Sequence, residues 1–487
     1  TMRKRHSLTY NGVMNLIYTG SRIFFPLLTA PFLARTLGPA STGRVDFIIS
    51  IANYFVLIAS LGIPTYGIRI CAEAGNDKTI LSRTVHELLF INVTATIISL
   101  FLYTLCILVT PRLFSEYPIA ILGGILILFR TFSIDWFYQG IEQYDYITTR
   151  TLIMRLLAMV FIFLAIHSPK DYLAYGISCL IMETGASICN FWNLRKYILL
   201  TKINGYHIKA HFKPIIIFFL SSVAISVYNQ IDVTMIGMLQ SSSEVGFYEY
   251  GIKPVKVIWT VLIGLTSVAM PRVVSLIKQH RKQEERLLRR KAAQGIFLLS
   301  VPIVVFLFSI SESLILFLFG PGYAKSVTVF KIFVFAITPV AYSNYLANII
   351  LLPNGKEKER AFSVNIGLIV DIILNTFLIP HYGAAGAAFA TLCTELAVCL
   401  CLLCSSRKEL KDAFVDFNWR KKISIVVVCI TLGLLTKWLP ISNLFLKIIA
   451  SVIIYGLGYL STLLSFREPV FMEQKIKIIE ALHKKFR

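Results

Sequence analysis

Charge is what this sequence has least of. Only 15% of its 487 residues are Asp, Glu, Lys or Arg, against about 25% in soluble globular chains, while 56% are hydrophobic. That balance excludes a soluble globular protein and points to an integral membrane protein. Acidic residues are the scarcer sign, 26 against 48 basic ones, for a formal net charge of +22. In a soluble chain such an excess would suggest a nucleic-acid binder. Here the basic residues sit in short polar gaps between long apolar runs, which reads as membrane topology, and no nucleic-acid partner is expected.

Other absences narrow the function. Of nine cysteines, eight (Cys106, Cys179, Cys189, Cys393, Cys399, Cys401, Cys404 and Cys429) lie in apolar segments and only Cys71 in a polar one, so neither a disulfide framework nor a metal-ligand spacing emerges. After the basic start Arg3-Lys4-Arg5 there is no short apolar stretch with a small-residue cleavage site, so the first apolar run is expected to remain as a span. There is no HExxH, phosphate-binding Gly-Lys loop, nucleophile elbow or aspartate pair for a metal-dependent sugar transferase. His207 and His211 have helical spacing but no neighbouring acid or cysteine in sequence. Neither an enzyme nor a cofactor or metal is expected.

What is abundant is apolar sequence of membrane-crossing length. A hydrocarbon core of about 30 Å takes roughly 20 helical residues. Fourteen runs qualify, at 10 to 34, 45 to 64, 88 to 110, 118 to 136, 151 to 167, 172 to 192, 214 to 239, 257 to 271, 294 to 319, 327 to 352, 361 to 380, 384 to 404, 423 to 439 and 445 to 465. With a cytoplasmic N-terminus, the inside segments hold 35 of the Lys and Arg residues and the outside loops 7, the rest being Arg22, Arg130, Arg155, Lys331, Lys437 and Lys447 within spans. That asymmetry places both termini in the cytoplasm. The densest inside segment, Arg272 to Lys291, reads either as a basic helix on anionic headgroups or as a topology anchor. No outside loop exceeds about twenty residues, which leaves little from which an outer-face enzyme would build a site.

The second half repeats the first. Glu183 precedes Arg195-Lys196 as Glu395 precedes Arg407-Lys408, 212 positions later; Gln139-Gly140-Ile141-Glu142 matches Asn354-Gly355-Lys356-Glu357; and Leu37-Gly38-Pro39-Ala40-Ser41-Thr42-Gly43 matches Leu239-Gln240-Ser241-Ser242-Ser243-Glu244-Val245-Gly246. With six spans per repeat, equivalent spans run in the same direction. The expected fold is therefore all-α, with about 14 transmembrane helices: two parallel six-helix lobes around a central cavity (1 to 205 and 206 to 418) and two further helices with a basic tail (419 to 487). Two lobes rocking about a cavity form an alternating-access transporter.

Ionisable groups at mid-bilayer are costly and so face a cavity or a partner. Those found there are Arg22, Arg130, Asp135, Arg155, Glu183, Asp232, Glu312, Lys331, Asp371 and Glu395. Arg22, twelve residues into the first span, reads as an anion-binding cavity residue. Asp232, after the polar run Tyr228-Asn229-Gln230, reads as a proton or cation site with Arg22 as a counter-ion; a structural ion pair is the alternative. Glu183 and Glu395 are equivalent positions, either lobe-stabilising or ion-coupling. Arg155 and Asp371 either pair or each line a lobe interior. Gly383-Ala384-Ala385-Gly386-Ala387-Ala388 is a close-packing signal, and Pro26, Pro31, Pro302 and Pro339 mark kinks.

Three phrases carry a family resemblance: Pro26-Leu27-Leu28-Thr29-Ala30-Pro31-Phe32-Leu33-Ala34-Arg35-Thr36-Leu37-Gly38-Pro39, Leu61-Gly62-Ile63-Pro64-Thr65-Tyr66-Gly67-Ile68-Arg69, and Ile379-Pro380-His381-Tyr382-Gly383-Ala384-Ala385-Gly386-Ala387-Ala388. They resemble the Wzx-type O-antigen and capsule-unit flippases of the multidrug/oligosaccharidyl-lipid/polysaccharide exporter superfamily. The resemblance implies movement of undecaprenyl-pyrophosphate-linked oligosaccharide from the inner to the outer leaflet of a bacterial cytoplasmic membrane. Coupling to a monovalent cation, a proton or the membrane potential is implied too, with membrane lipids and polysaccharide assembly proteins as further partners. The family supplies no invariant motif to carry over. The site residues are thus physical inference: Arg22, Arg35, Arg69 and Arg155 for the anionic headgroup, and Asp232, Asp371, Glu183 and Glu395 for ion coupling. Arg35 and Arg69, with Arg44 and Asp46, also read as headgroup anchors at span ends. Rival readings are a peptidoglycan-precursor flippase, a multidrug antiporter, or a polymerase or ligase of polysaccharide assembly.

Overall fold

A computed structural model describes residues 8–75, 77–201, 203–410 and 417–473, all in helices and their connections, with no strand among the described residues. The basic N-terminal start and most of the C-terminal tail lie outside them. The chain divides into two compact units, Thr1–Glu249 and Tyr250–Arg487. The first holds α1 (Leu8–Ser60), α2 (Ile63–Glu73), α3 (Lys78–Val109), α4 (Pro111–Phe114), α5 (Tyr117–Thr131), α6 (Asp135–Gly140), α7 (Tyr144–Ala165), α8 (Tyr172–Leu194), α9 (Ile208–Leu239) and the start of α10 (Ser242–Lys278). The second continues through α11 (Lys282–Ser309), α12 (Ser311–Phe319), α13 (Ala324–Tyr345), α14 (Glu357–Ser405), α15 (Arg407–Leu410), α16 (Trp419–Lys437) and α17 (Leu444–Ser465).

Eleven of the described helical segments are long and apolar enough to cross a membrane. Two of them are bent pairs. A straight helix of the 53 residues of α1 would be about 80 Å long, more than twice the hydrocarbon core. It breaks at Gly38 (φ 75°, ψ 172°), a left-handed backbone that glycine adopts without a Cβ clash. Hydrogen bonds show that the chain reverses there. Residues near the break meet the loops that charge assigns to the outside, Ser41 donating to the Pro169 carbonyl at 2.7 Å and Arg44 pairing with Glu116 at 2.7 Å. Both flanks run to the opposite end, where Thr148 donates to the Met14 carbonyl at 3.0 Å and Asn92 Nδ2 to the Ala59 carbonyl at 2.7 Å. Helix α14 breaks likewise at Gly383 (φ 53°), and a Cβ on Gly386 would lie 2.5 Å from the Leu378 carbonyl oxygen, so the small-residue run serves this tight turn. Counting each half of these pairs, and the nineteen-residue α16 that opens Trp419-Arg420-Lys421-Lys422, each of the fourteen expected spans has a helix.

The expected edges need correction. Span four ends at Thr131 rather than 136, interrupted at 132 to 134 before the short α6. Span two continues beyond a break at Leu61-Gly62 as α2, where a loop was expected. Span eight is part of a 37-residue helix, although its sequence gave the faintest signal.

Within the first unit, Arg112 caps the C-terminus of α9, its Nε and Nη2 donating to the carbonyls of Gly237 (2.8 Å) and Gln240 (2.6 Å). Beneath α2 and α6 lies a core of Ile63, Tyr66, Trp136, Phe137 and Tyr138. In the second unit, α16 and α17 pack on α11 through Leu298, Ile425, Cys429 and Tyr455.

Candidate functional site

Two interrupted spans make the site. Leu61 (φ 50°), Gly62 (φ 84°) and Ile134 (φ 30°) all hold left-handed backbone, uncommon for leucine and strained for a β-branched isoleucine; such strain persists where surrounding structure imposes it. Gly62 is required by space as well, since a Cβ there would lie 2.6 Å from the Phe219 backbone nitrogen. Between the breaks, wholly within the first unit, lies a cavity of about 230 Å³. Its walls include Tyr18 and Arg22 of α1, Pro64 and Thr65 of α2, Asn92 of α3, Arg130 of α5, and Asp135, Trp136 and Gln139 of α6.

Its electrostatics are one-sided. Arg22 is exposed, its guanidinium 5.7 Å from the ring centroid of Tyr18, and among the described residues no carboxylate holds it. Arg130 Nη1 contacts Glu183 Oε2 at 2.7 Å and the Glu183 carbonyl at 3.3 Å. Asp135 accepts from Arg150, from Asn190 Nδ2 at 3.0 Å and from Tyr18 Oη at 3.3 Å. Arg155, buried, donates to Ser21. Four arginines thus gather around two carboxylates, an excess of two positive charges. The N-terminus of α2 adds to it: Ile63, Pro64 and Thr65 line the cavity and the Gly62 cap offers no side chain, so uncapped N–H groups and the positive helix end lie on the cavity wall. Half-helix N-termini in broken spans bind anionic substrate groups in this way.

The structure brings Arg22, Arg155 and Glu183 together, and it places the other expected residues elsewhere. Arg35 and Arg69 are exposed and do not line the cavity; Arg69 pairs with Glu73 one turn on, at 2.8 Å. Buried Asp232 accepts from Tyr248. Buried Asp371 accepts from Thr394 Oγ1 at 3.1 Å across the two halves of α14, and half-buried Glu395 follows Thr394. Sequence reasoning missed Arg150 and Asn190, and noted Arg130 and Asp135 without placing them in the site. The signal was there in Arg130-Thr131-Phe132-Ser133-Ile134-Asp135, too polar for an uninterrupted span. It also missed the acid beside His211: Glu87 Oε2 lies 2.8 Å from His211 Nε2, with Tyr66 Oη 2.7 Å from Nδ1.

Comparison with known proteins bears on this architecture. Residues 8–277 match the family model of the polysaccharide biosynthesis proteins. The chain belongs to this family. It is a Wzx-type member of the multidrug/oligosaccharidyl-lipid/polysaccharide exporter superfamily, a multi-pass flippase-type transporter of a bacterial cytoplasmic membrane. Residues 152–457 also match the model described as lipid II flippase MurJ. Two family relatives are named as candidate O-antigen transporters. One, from Escherichia coli strain K12, is 22% identical over 413 residues, covering 80% of this chain and 95% of the relative; the other, from Shigella dysenteriae, is 22% identical over 395 residues, covering 81% and 98%. A solved structure of lipid II flippase MurJ in an inward closed conformation superposes with a TM-score of 0.69 at 18% identity, covering 94% of this chain and 99% of that one, so the fold is shared.

Proposed function

We propose that this flippase moves undecaprenyl-pyrophosphate-linked sugar repeat units from the cytoplasmic to the outer leaflet by alternating access, with both termini in the cytoplasm and no chemistry performed on the substrate. The observation that carries this reading is the excess of two positive charges around the cavity. Each phosphoryl group of a pyrophosphate diester carries one negative charge, so the headgroup complements the cluster. Arg22 and the α2 N-terminus offer donors that no protein carboxylate occupies. A cavity of about 230 Å³ holds a pyrophosphate or one sugar, not a whole repeat unit, so the remaining sugars need space beyond it.

An anion leaving toward a positive exterior is assisted by the membrane potential, about 2.3 kcal/mol per charge per 100 mV. Cation or proton coupling is a separate aid, for which Asp371 with Thr394, and Asp232 with Tyr248, are two buried carboxylates outside the cavity. The match to the lipid II flippase model supports a second reading, a peptidoglycan precursor with the same pyrophosphate headgroup.

The test is surface polysaccharide in a strain lacking the chain, with the leaflet in which lipid-linked units accumulate. Units trapped on the cytoplasmic side with viable cells are expected. Loss of viability would favour the peptidoglycan precursor, and unextended units on the outer side would point to polymerisation and refute transport. Arg22→Ala and Asp232→Asn, each folded, should lower export; normal export with both replaced removes them from the site.

A further inference from the structure

The cations around the cavity are not held alike. The Arg150–Asp135 pair is fixed: the Arg150 side chain is 6% exposed and Asp135 is further held by Asn190 and Tyr18. The Arg130–Glu183 pair is open to competition. Its side chains are 30% and 45% exposed, and its contacts run through a single guanidinium nitrogen. Arg130 lines the cavity, whereas Glu183, on the neighbouring α8, does not. The carboxylate therefore pulls a cavity cation from outside the cavity.

We propose that Glu183 is an internal anion that the substrate displaces: an incoming phosphoryl group takes Arg130 from Glu183, and Glu183, losing its partner, takes up a proton. This deepens the reading of the cavity as a pyrophosphate site and rests on it. The charged groups facing Glu183 are Arg130 from α5, Arg22 from α1 and Arg155 from α7, with the Arg150–Asp135 pair alongside, where Arg150 Nη1 also donates to the Ala186 carbonyl at 3.2 Å. A bound pyrophosphate neutralises Arg22 and Arg130, two of the three arginines that sustain the Glu183 charge. A carboxylate stripped of its partners at membrane depth is disfavoured, and a proton from solvent forming an O–H bond on it removes the charge. By linkage, a substrate that raises proton affinity is itself bound more tightly when the proton is present. Glu183 is thus a positioning residue that couples the headgroup to a proton.

The experiment uses the purified full chain in detergent and UDP-N-acetylglucosamine as a soluble pyrophosphate diester whose phosphates stay ionised from neutral to mildly acidic pH. Wild type should bind more tightly on acidification and take up protons from a weakly buffered solution on binding. Glu183→Gln should bind about tenfold more tightly at neutral pH, with no proton uptake and a flat pH profile. Binding without proton uptake by wild type overturns the inference even if the variant does not fold. Equal affinities and slopes in both proteins overturn it too, as does a stable Glu183→Gln that binds more weakly; if Arg22→Ala still abolishes binding, the phosphate reading survives either result. No binding by wild type or by Glu183→Gln overturns inference and reading together.

Discussion

Tyr459 of α17 donates its hydroxyl to the Leu298 carbonyl of α11 at 2.5 Å, and Leu298 lies four residues before Pro302, whose missing N–H leaves that carbonyl without its helical partner. The C-terminal hairpin is thereby bonded to the helix at its proline, where lipid would offer no substitute. Tyr459→Phe should lower stability by about 1 kcal/mol, the upper range for polar contacts between membrane helices. Adding Pro302→Ala restores the backbone bond and should recover most of the loss. Unfolding midpoints in detergent for the two single variants and the double variant decide it: additive losses would refute the link.

A second contact joins equivalent points of the internal repeat. A Cβ on Gly43 would lie 1.8 Å from the Ser242 carbonyl oxygen, and one on Gly246 would lie 2.2 Å from the Pro39 carbonyl oxygen. Gly246 follows Gly43, and Ser242 follows Pro39, by the same 203 positions, so the two clashes are one contact seen from each side. Gly43→Ala and Gly246→Ala should therefore damage the fold to a similar degree, each by at least the 1–3 kcal/mol typical of overpacking, about 2 kcal/mol being readily measured. Folded yield on size-exclusion chromatography checks this, and a tolerated alanine at either position would argue against it.

Length and apolarity were enough to find a helix at each of the fourteen expected runs, because a bilayer imposes both on any helix that crosses it. Where spans break was legible only in part: the polar run Arg130 to Asp135 marks one break, and no such run marks the break at Leu61-Gly62. The left-handed residues Leu61 and Ile134 are apolar, and only the fold shows Gly62 set against the α9 backbone and the Ser133 carbonyl bonded by Asn190 of α8. The site was half legible for the same reason. Arg22 stands out as a charge in an apolar run, but Arg150 counted as a loop cation, and only the fold sets it against Asp135. Glu87 likewise sits 124 positions from His211, a distance at which sequence spacing carries no information.

Lys356, at the start of α14, places its Nζ 2.7 Å from Oε1 of Glu409 on α15. Burial works against the Glu409 charge, but the Lys356 ammonium bonded to it holds the carboxyl below its ordinary value. A depressed folded value means the pair contributes fully above the ordinary glutamate pKa of about 4.3, and the contribution is lost as pH falls through the lower folded value. The unfolding midpoint of wild type should exceed that of Lys356→Met at neutral pH by a small margin, since the pair is partly exposed, and the gap should close under acid. A gap unchanged by acid would show that the lysine acts through packing alone.

The buried Glu87–His211 pair ties α9 to α3, and Tyr66 extends the tie to α2. Glu87 Oε1 also accepts the His207 N–H at 2.5 Å, so one carboxylate serves both the backbone at the start of α9 and an imidazole one turn later. With Glu87 ionised, His211 Nε2 donates to it, and the Tyr66 hydroxyl completes the ring at Nδ1. Removing the imidazole leaves a buried carboxylate without its partner, so His211→Ala should cost about 3–5 kcal/mol. Tyr66→Phe removes one hydrogen bond from a pair that survives, and should cost about 1 kcal/mol. Glu87→Leu with His211→Leu removes both buried polar partners together and should recover much of the His211→Ala loss. Detergent unfolding ranks the three, and hydrogen exchange over 203–215 locates the effect. A Tyr66→Phe loss equal to that of His211→Ala would mean the Glu87–His211 contact contributes nothing beyond its packing.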